Sequence, residues 1–241
     1  MSVYIESDIL AVDIDAVIVD KDSCAEKICG YGNHDREMYY MHLETARNVY
    51  DKYIAGGNVD VILRYFKPEC VKSDGFSFDG VDIKCDIITK LSISTPNIRG
   101  GYLFTFYVPD IGEDDYEACS LLEKYYVDSW LIMVVDMVRV WLRKYLEKWY
   151  SAEGVFVSDT FGPGYYGMGI EQMGPLLQVL DSERVGVKYG NDGNMYPAKS
   201  CVGIYLVTEQ KIGDEIKDCI NCIGDNGGCF MCKNYRREVK I

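Results

Sequence analysis

The chain has 241 residues, 48% of them hydrophobic, enough to bury a core in one large or two small domains. Its 38 acidic residues outnumber 25 basic ones for a net charge of -13. That balance opposes attachment to nucleic acid or an anionic membrane surface, which need clustered Lys and Arg. The N-terminus, MSVYIESDILAVDID, lacks the basic start and long apolar run of a secretory signal, so a cytoplasmic location is expected.

After a β-like start, residues 33–53 put Met38, Met41, His42, Thr45 and Val49 at helical spacing, with Asn33 as N-cap and Gly56-Gly57 as the stop. Residues 59–66, VDVILRYF, are β-branched and aromatic and stop before Pro68, as a strand does. Residues 74–80 read as a turn or loop, and 83–93 alternate weakly. Residues 102–108, YLFTFYV, are the clearest strand of the first half, closed by Pro109 and Gly112.

Residues 114–150 are helical throughout. At about 1.5 Å per residue they would exceed 50 Å as one helix, so a break is expected around 125–128. Within them 127–146 is the run nearest to a membrane span, yet Asp128, Asp136, Arg139, Arg143 and Lys144 interrupt it. Each such charge costs about 2.5 to 3.5 kcal/mol near a bilayer centre, so this is a water-exposed helix. Asp136 is expected on its wet face beside Arg139 and Arg143, since a buried carboxylate would need a partner.

Residues 154–158, GVFVS, form a short strand, and 169–180 a helix in which Gly174-Pro175 forces a kink or a late start. Residues 200–208, SCVGIYLVT, are the last strand. Short strands mixed with runs of helix indicate an α+β fold, here a domain over 1–210 followed by a Cys-rich tail over 211–241.

Ten cysteines without a secretory signal argue for reduced thiols or metal ligands rather than a disulfide framework. Cys24, Cys29, Cys70, Cys85, Cys119 and Cys201 are scattered and read as small buried hydrophobes. Cys219, Cys222, Cys229 and Cys232 form C-x2-C-x6-C-x2-C around IGDNGG, where two knuckles joined by a short hairpin bring four thiolates around one centre. That set suits a structural Zn2+ or an iron-sulfur cluster, against two disulfides or four free thiols. A closed zinc site would be structural or partner-binding, whereas a cluster would deliver electrons.

Residues 161–204 hold the remaining signal. Gly162 and Gly164 allow close backbone approach, Pro163 stiffens the turn, and Tyr165 and Tyr166 offer aromatic faces to a cation just before a helix N-terminus. The same residues also make an ordinary tight strand-to-helix connection. Met195, Tyr196, Pro197, Lys199 and Ser200 then lead into the last strand. This succession resembles the activation domain of cobalamin-dependent methionine synthase, which binds S-adenosylmethionine (AdoMet) and remethylates an inactivated corrinoid.

The resemblance implies a twisted antiparallel sheet with helices packed around it. It implies AdoMet held at Gly162, Pro163, Gly164 and Tyr165, with Tyr196, Lys199 and Ser200 on the face that meets corrinoid and cofactor. It also implies an Arg a few residues before the turn, where this chain has Thr160, whose hydroxyl cannot reproduce a guanidinium fork on a carboxylate. Cob(II)alamin on a partner would be reduced by one electron and trapped by the AdoMet methyl group, which needs positioning rather than a nucleophile-base pair. The chain is too short for the other domains of a complete methionine synthase, so a corrinoid protein or cobalamin-dependent methyltransferase, and a reductant protein, would be its partners. A module that has lost AdoMet and only binds such a partner, and a metal or redox sensor built on the cysteine tail, are the competing readings. Elemental analysis of anaerobically purified full chain should find one zinc or one iron-sulfur cluster per chain, and protein free of both would remove the metal reading of the tail.

Overall fold

The computed structural model describes residues 8–30, 36–86, 98–150, 153–165 and 168–210. A curled five-stranded antiparallel sheet is built from β1 (Asp8–Asp13), β2 (Asn58–Phe66), β6 (Ile98–Tyr107), β7 (Phe156–Val157) and β10 (Ser200–Thr208), in the order β1-β2-β6-β10-β7. Alternation along β2 sends Val59, Val61 and Leu63 to one face and Ile62 and Phe66 to the other. Both faces are covered, which is why β6 and β10 read as continuous apolar runs rather than alternating ones.

Helices α1 (Ile14–Val17), α2 (Lys21–Cys29), α3 (Arg36–Val49) and α5 (Leu121–Tyr150) cover the first face, with Trp130, Val134, Val138 and Leu142 of α5 fully buried. A π turn, Tyr50–Ile54, continues α3 up to Gly56. The Trp130 indole N–H donates to the Ala46 carbonyl at 2.8 Å, tying α5 to α3. Tyr102 of β6 and Tyr150 at the end of α5 share a buried hydrogen bond of 2.8 Å. On the opposite face lie β4 (Gly75–Phe78), its neighbours β3 (Val71–Lys72) and β5 (Val81–Lys84), and α6 (Met173–Leu180). Phe66, Phe76 and Phe78 pack edge to face or stacked there. A small ribbon of β8 (Lys188–Tyr189) and β9 (Met195–Tyr196) leads to β10.

The α+β class, the main strands and the late start of the helix after the glycine turn are as expected, and two details differ. The break in the helical region falls at Cys119-Ser120, not at 125–128: α4 (Glu113–Ala118) stops there and α5 runs unbroken for 30 residues. Ser120 and Glu123 form a reciprocal cap, the Ser120 amide donating to Glu123 Oε2 at 2.8 Å and the Glu123 amide to Ser120 Oγ at 3.3 Å. Residues 74–80 are not a loop; Gly75–Phe78 is a strand whose hairpin turn is Asp79-Gly80, with φ of 49 and 85. The helix after the glycine turn starts late, at Met173, which puts Pro175 in its first turn where its missing N–H costs nothing. Asn33 and residues 87–93 lie outside the described residues.

Close approach fixes one glycine in the sheet. A Cβ on Gly203 would sit 2.7 Å from Thr160 Cγ2 and 2.9 Å from the Phe104 ring, so β6, β10 and the chain before the turn meet there without slack. Gly203→Ala should lower stability by about 1 to 3 kcal/mol through overpacking. Urea unfolding checks this, and an unchanged midpoint would show that the seam can relax.

Candidate functional site

The chain reaches the glycine turn by running antiparallel to β10. Val157 pairs with Val207, the Ser158 amide donates to the Leu206 carbonyl at 2.9 Å, and Phe161 exchanges two backbone hydrogen bonds with Ile204 at 2.9 and 2.7 Å. The Tyr165 amide then donates to the Gly162 carbonyl at 2.9 Å, closing a turn with Pro163 second and Gly164 third. Gly164 has φ of 85, the backbone this turn type reserves for glycine. The Gly164 amide donates to the Met168 carbonyl at 2.8 Å and the Met168 amide to the Tyr165 carbonyl at 3.0 Å. These amides satisfy one another, leaving the Tyr165 side chain, 57% exposed, as what the turn offers outward. Tyr166 lies outside the described residues.

Tyr165 faces a cavity of about 490 Å3 between the turn and α5. Arg139, Val140, Arg143, Lys144 and Glu147 line it from the helix, at spacings that put them on one side, and Asp159 and Thr160 line it from the strand. Arg143 is paired with Glu147 at 3.0 Å and with Asp159. Arg139 is paired with Asp136, 63% exposed as expected for the wet face, at 3.2 Å, while its Nε is buried without an acceptor among the described residues. Three cations and two carboxylates around an apolar patch make a lining suited to a zwitterion with an aliphatic or aromatic body.

Thr160 is turned inward. Its methyl group lies against Gly203 and its hydroxyl is hydrogen-bonded to the Tyr205 phenol, which itself donates to the Arg139 carbonyl at 2.6 Å. Arg139 and Arg143 of α5 stand across the cavity from Thr160. Arg139 and Arg143 were legible in the sequence as one wet stripe of the long helix, but their meeting with the turn is a tertiary fact that no local pattern encodes.

The other expected site residues lie elsewhere. Lys199 Nζ donates to Asp128 at 2.9 Å in a separate groove. Asp128 is 11 positions before Arg139 on α5, a separation of about 16 Å along the axis. Tyr196 donates to Asp192 at 2.5 Å, and this bond with those from Asn194 holds the Asp192 carboxyl down at about 2. Ser200 Oγ donates to the Pro197 carbonyl at 2.6 Å. Of the expected cofactor residues, Tyr165 lines the Arg139 cavity, while Gly162, Pro163, Gly164, Tyr196, Lys199 and Ser200 are outside its lining.

Cys219, Cys222, Cys229 and Cys232 lie outside the described residues. Among the described residues no group of three or more His, Cys, Asp or Glu is placed to hold a metal ion, and no helix is long and apolar enough to cross a membrane. Cys24, Cys85 and Cys119 are buried cysteines outside any disulfide, as read from the sequence, whereas Cys29, Cys70 and Cys201 are half-buried. Compared with known proteins, no family model matches the chain, and no curated protein matches it.

Burial pushes the Cys201 thiol, beneath the Arg139 side chain, up to about 11. The unfolded chain ionises this thiol from about pH 8.5, the native state only near the raised value, so its contribution is complete below pH 8.5 and lost as pH rises towards 11. Cys201→Ala should therefore lose about 3 kcal/mol less stability than wild type between about pH 8.5 and 11. Urea denaturation across that range checks this, with parallel curves assigning the alkaline loss to other groups such as the buried phenols.

Proposed function

We propose that the protein reactivates a corrinoid methyltransferase by AdoMet-dependent reductive methylation, as a stand-alone relative of the methionine synthase activation domain. The observation that carries this reading is the cavity in which Tyr165 of the glycine turn faces Arg139 and Arg143 of α5. Its residues fit the methionine half of AdoMet by chemistry. Arg139 and Arg143 would take the carboxylate, Asp159 or Glu147 the ammonium, and the Tyr165 ring would lie towards the sulfonium. AdoMet supplies a methyl group on positive sulfur; the chain's own task is to bind, orient and keep water away from that group while the corrinoid of a partner approaches. The fold class, an antiparallel sheet with helices packed on it, is compatible with the resemblance in residues 161–204. The electron comes from a reductant protein, or from the cysteine tail if that tail holds a cluster.

One observation favours a second reading. Arg143 already has two carboxylate partners, and the turn amides are bonded among themselves. A module that binds the corrinoid partner without AdoMet would need nothing more from this cavity.

Calorimetric titration with AdoMet, using S-adenosylhomocysteine as the control ligand, separates the two. Wild type should bind in the micromolar range. Arg143→Ala should weaken binding by about 10- to 100-fold, the loss of one charge-assisted hydrogen-bonded pair. Tyr165→Ala should weaken it by about 3- to 10-fold with the unfolding midpoint unchanged. Absence of heat at about 1 mM AdoMet, well above the affinity a specific site gives, would make the non-catalytic reading the leading one.

A further inference from the structure

Another concavity, about 470 Å3, lies where β6 hands over to α4 and α5. Ile111, Val127 and Leu131 form its floor, and Asp110, Glu113, Glu117 and Asp128 its rim, with Lys199 bound to Asp128. The acidity is only partly explained by the helices. Glu113, Asp114 and Asp115 lie in the first turn of α4, where the helix dipole favours them, and Glu123 caps α5. Asp110 and Glu117 serve neither role, and neither has a hydrogen bond or ion pair among the described residues.

The groove also continues into an uncovered apolar stripe. Leu121, Tyr125 and Ile132 of α5, at i, i+4 and i+11 with Asp128 at i+7 between them, are 87%, 57% and 56% exposed. Groove and stripe together extend for about 16 Å along α5, longer than a small organic cation fills. Nucleic acid and anionic lipid are repelled by the same carboxylates. The occupant that matches is a protein segment with basic side chains for Asp110 and Glu117 and apolar ones for the Leu121 stripe.

We propose that this groove docks a basic, apolar-bearing segment of the corrinoid-carrying partner. The proposal rests on the function proposed above for the choice of partner, because Lys199 on the rim belongs to the segment that the resemblance sets against the corrinoid.

The test uses fluorescence anisotropy of a fluorescein-labelled peptide of alternating Lys and Leu, with an alternating Glu and Leu peptide as control, against the full chain. The Lys-Leu peptide should bind and the control should not, with affinity falling at least about tenfold from about 50 to 300 mM NaCl. Asp110→Asn with Glu117→Gln should weaken binding at least about tenfold, and Leu121→Ser separately by about threefold or more; both changes are on exposed side chains. Equal binding by both variants overturns the proposal in favour of diffuse negative charge. No binding by the full chain also overturns it, leaving the groove to the chain's own basic segment KNYRREVKI or to nothing. AdoMet calorimetry on the same samples reads the other cavity independently: peptide binding that follows the pattern above without AdoMet binding upholds the docking site and rejects the AdoMet reading.

Discussion

The structure depends on α5 lying across one face of the sheet as a single uninterrupted rod. Its buried stripe, from Tyr126 through Trp130, Val134, Val138 and Leu142 to Leu146, supplies most of the packing on that face, and hydrogen bonds at Trp130, Arg139 and Tyr150 tie it to α3, β10 and β6. Each of those bonds satisfies a polar group that would otherwise be buried alone, which costs more than the bond itself contributes. The opposite face, closed by the β4-β5 hairpin and α6, completes the burial of the central strands β6 and β10. Neither of those two strands tolerates a register slip, because both faces would be mismatched at once.

Much of the secondary structure was legible because its causes are local. VDVILRYF and SCVGIYLVT carry the β-branched and aromatic content of buried strands, and Gly174-Pro175 forces the late start of α6. The two misread places also had local signals, which were passed over. Ser120-x-x-Glu123 is a capping box, and Asp79-Gly80 is the dipeptide a two-residue hairpin needs. A helical pattern that runs on through 114–150 concealed the first, and the shortness of FSF and VDIK concealed the second.

The candidate site was less legible, for a physical reason. Gly162-Pro163-Gly164-Tyr165 reads as a turn because its backbone demands are encoded in its own residues, but the charges facing it come from a helix that precedes it in the chain and meets it only through tertiary packing. In the proposed reading, Arg139 and Arg143 on the opposite wall would meet the ligand carboxylate that an Arg in place of Thr160 would otherwise take. Arg139 Nε, near the Cys201 thiol, is buried in that wall with no acceptor among the described residues. Lys199, by contrast, follows its strand to the far end of α5, and adjacency in a motif gave no hint of that divergence.

Between Leu121 and Tyr150 the helix contains neither glycine nor proline, the residues at which long helices bend. The Asp128 groove and the Arg139 cavity are consequently set on one stiff scale, a fixed interval apart, and no hinge within α5 can change that interval. A partner that engages both, as proposed, would have to bring two contact points at the same spacing, so α5 would set a requirement of length ahead of any of charge.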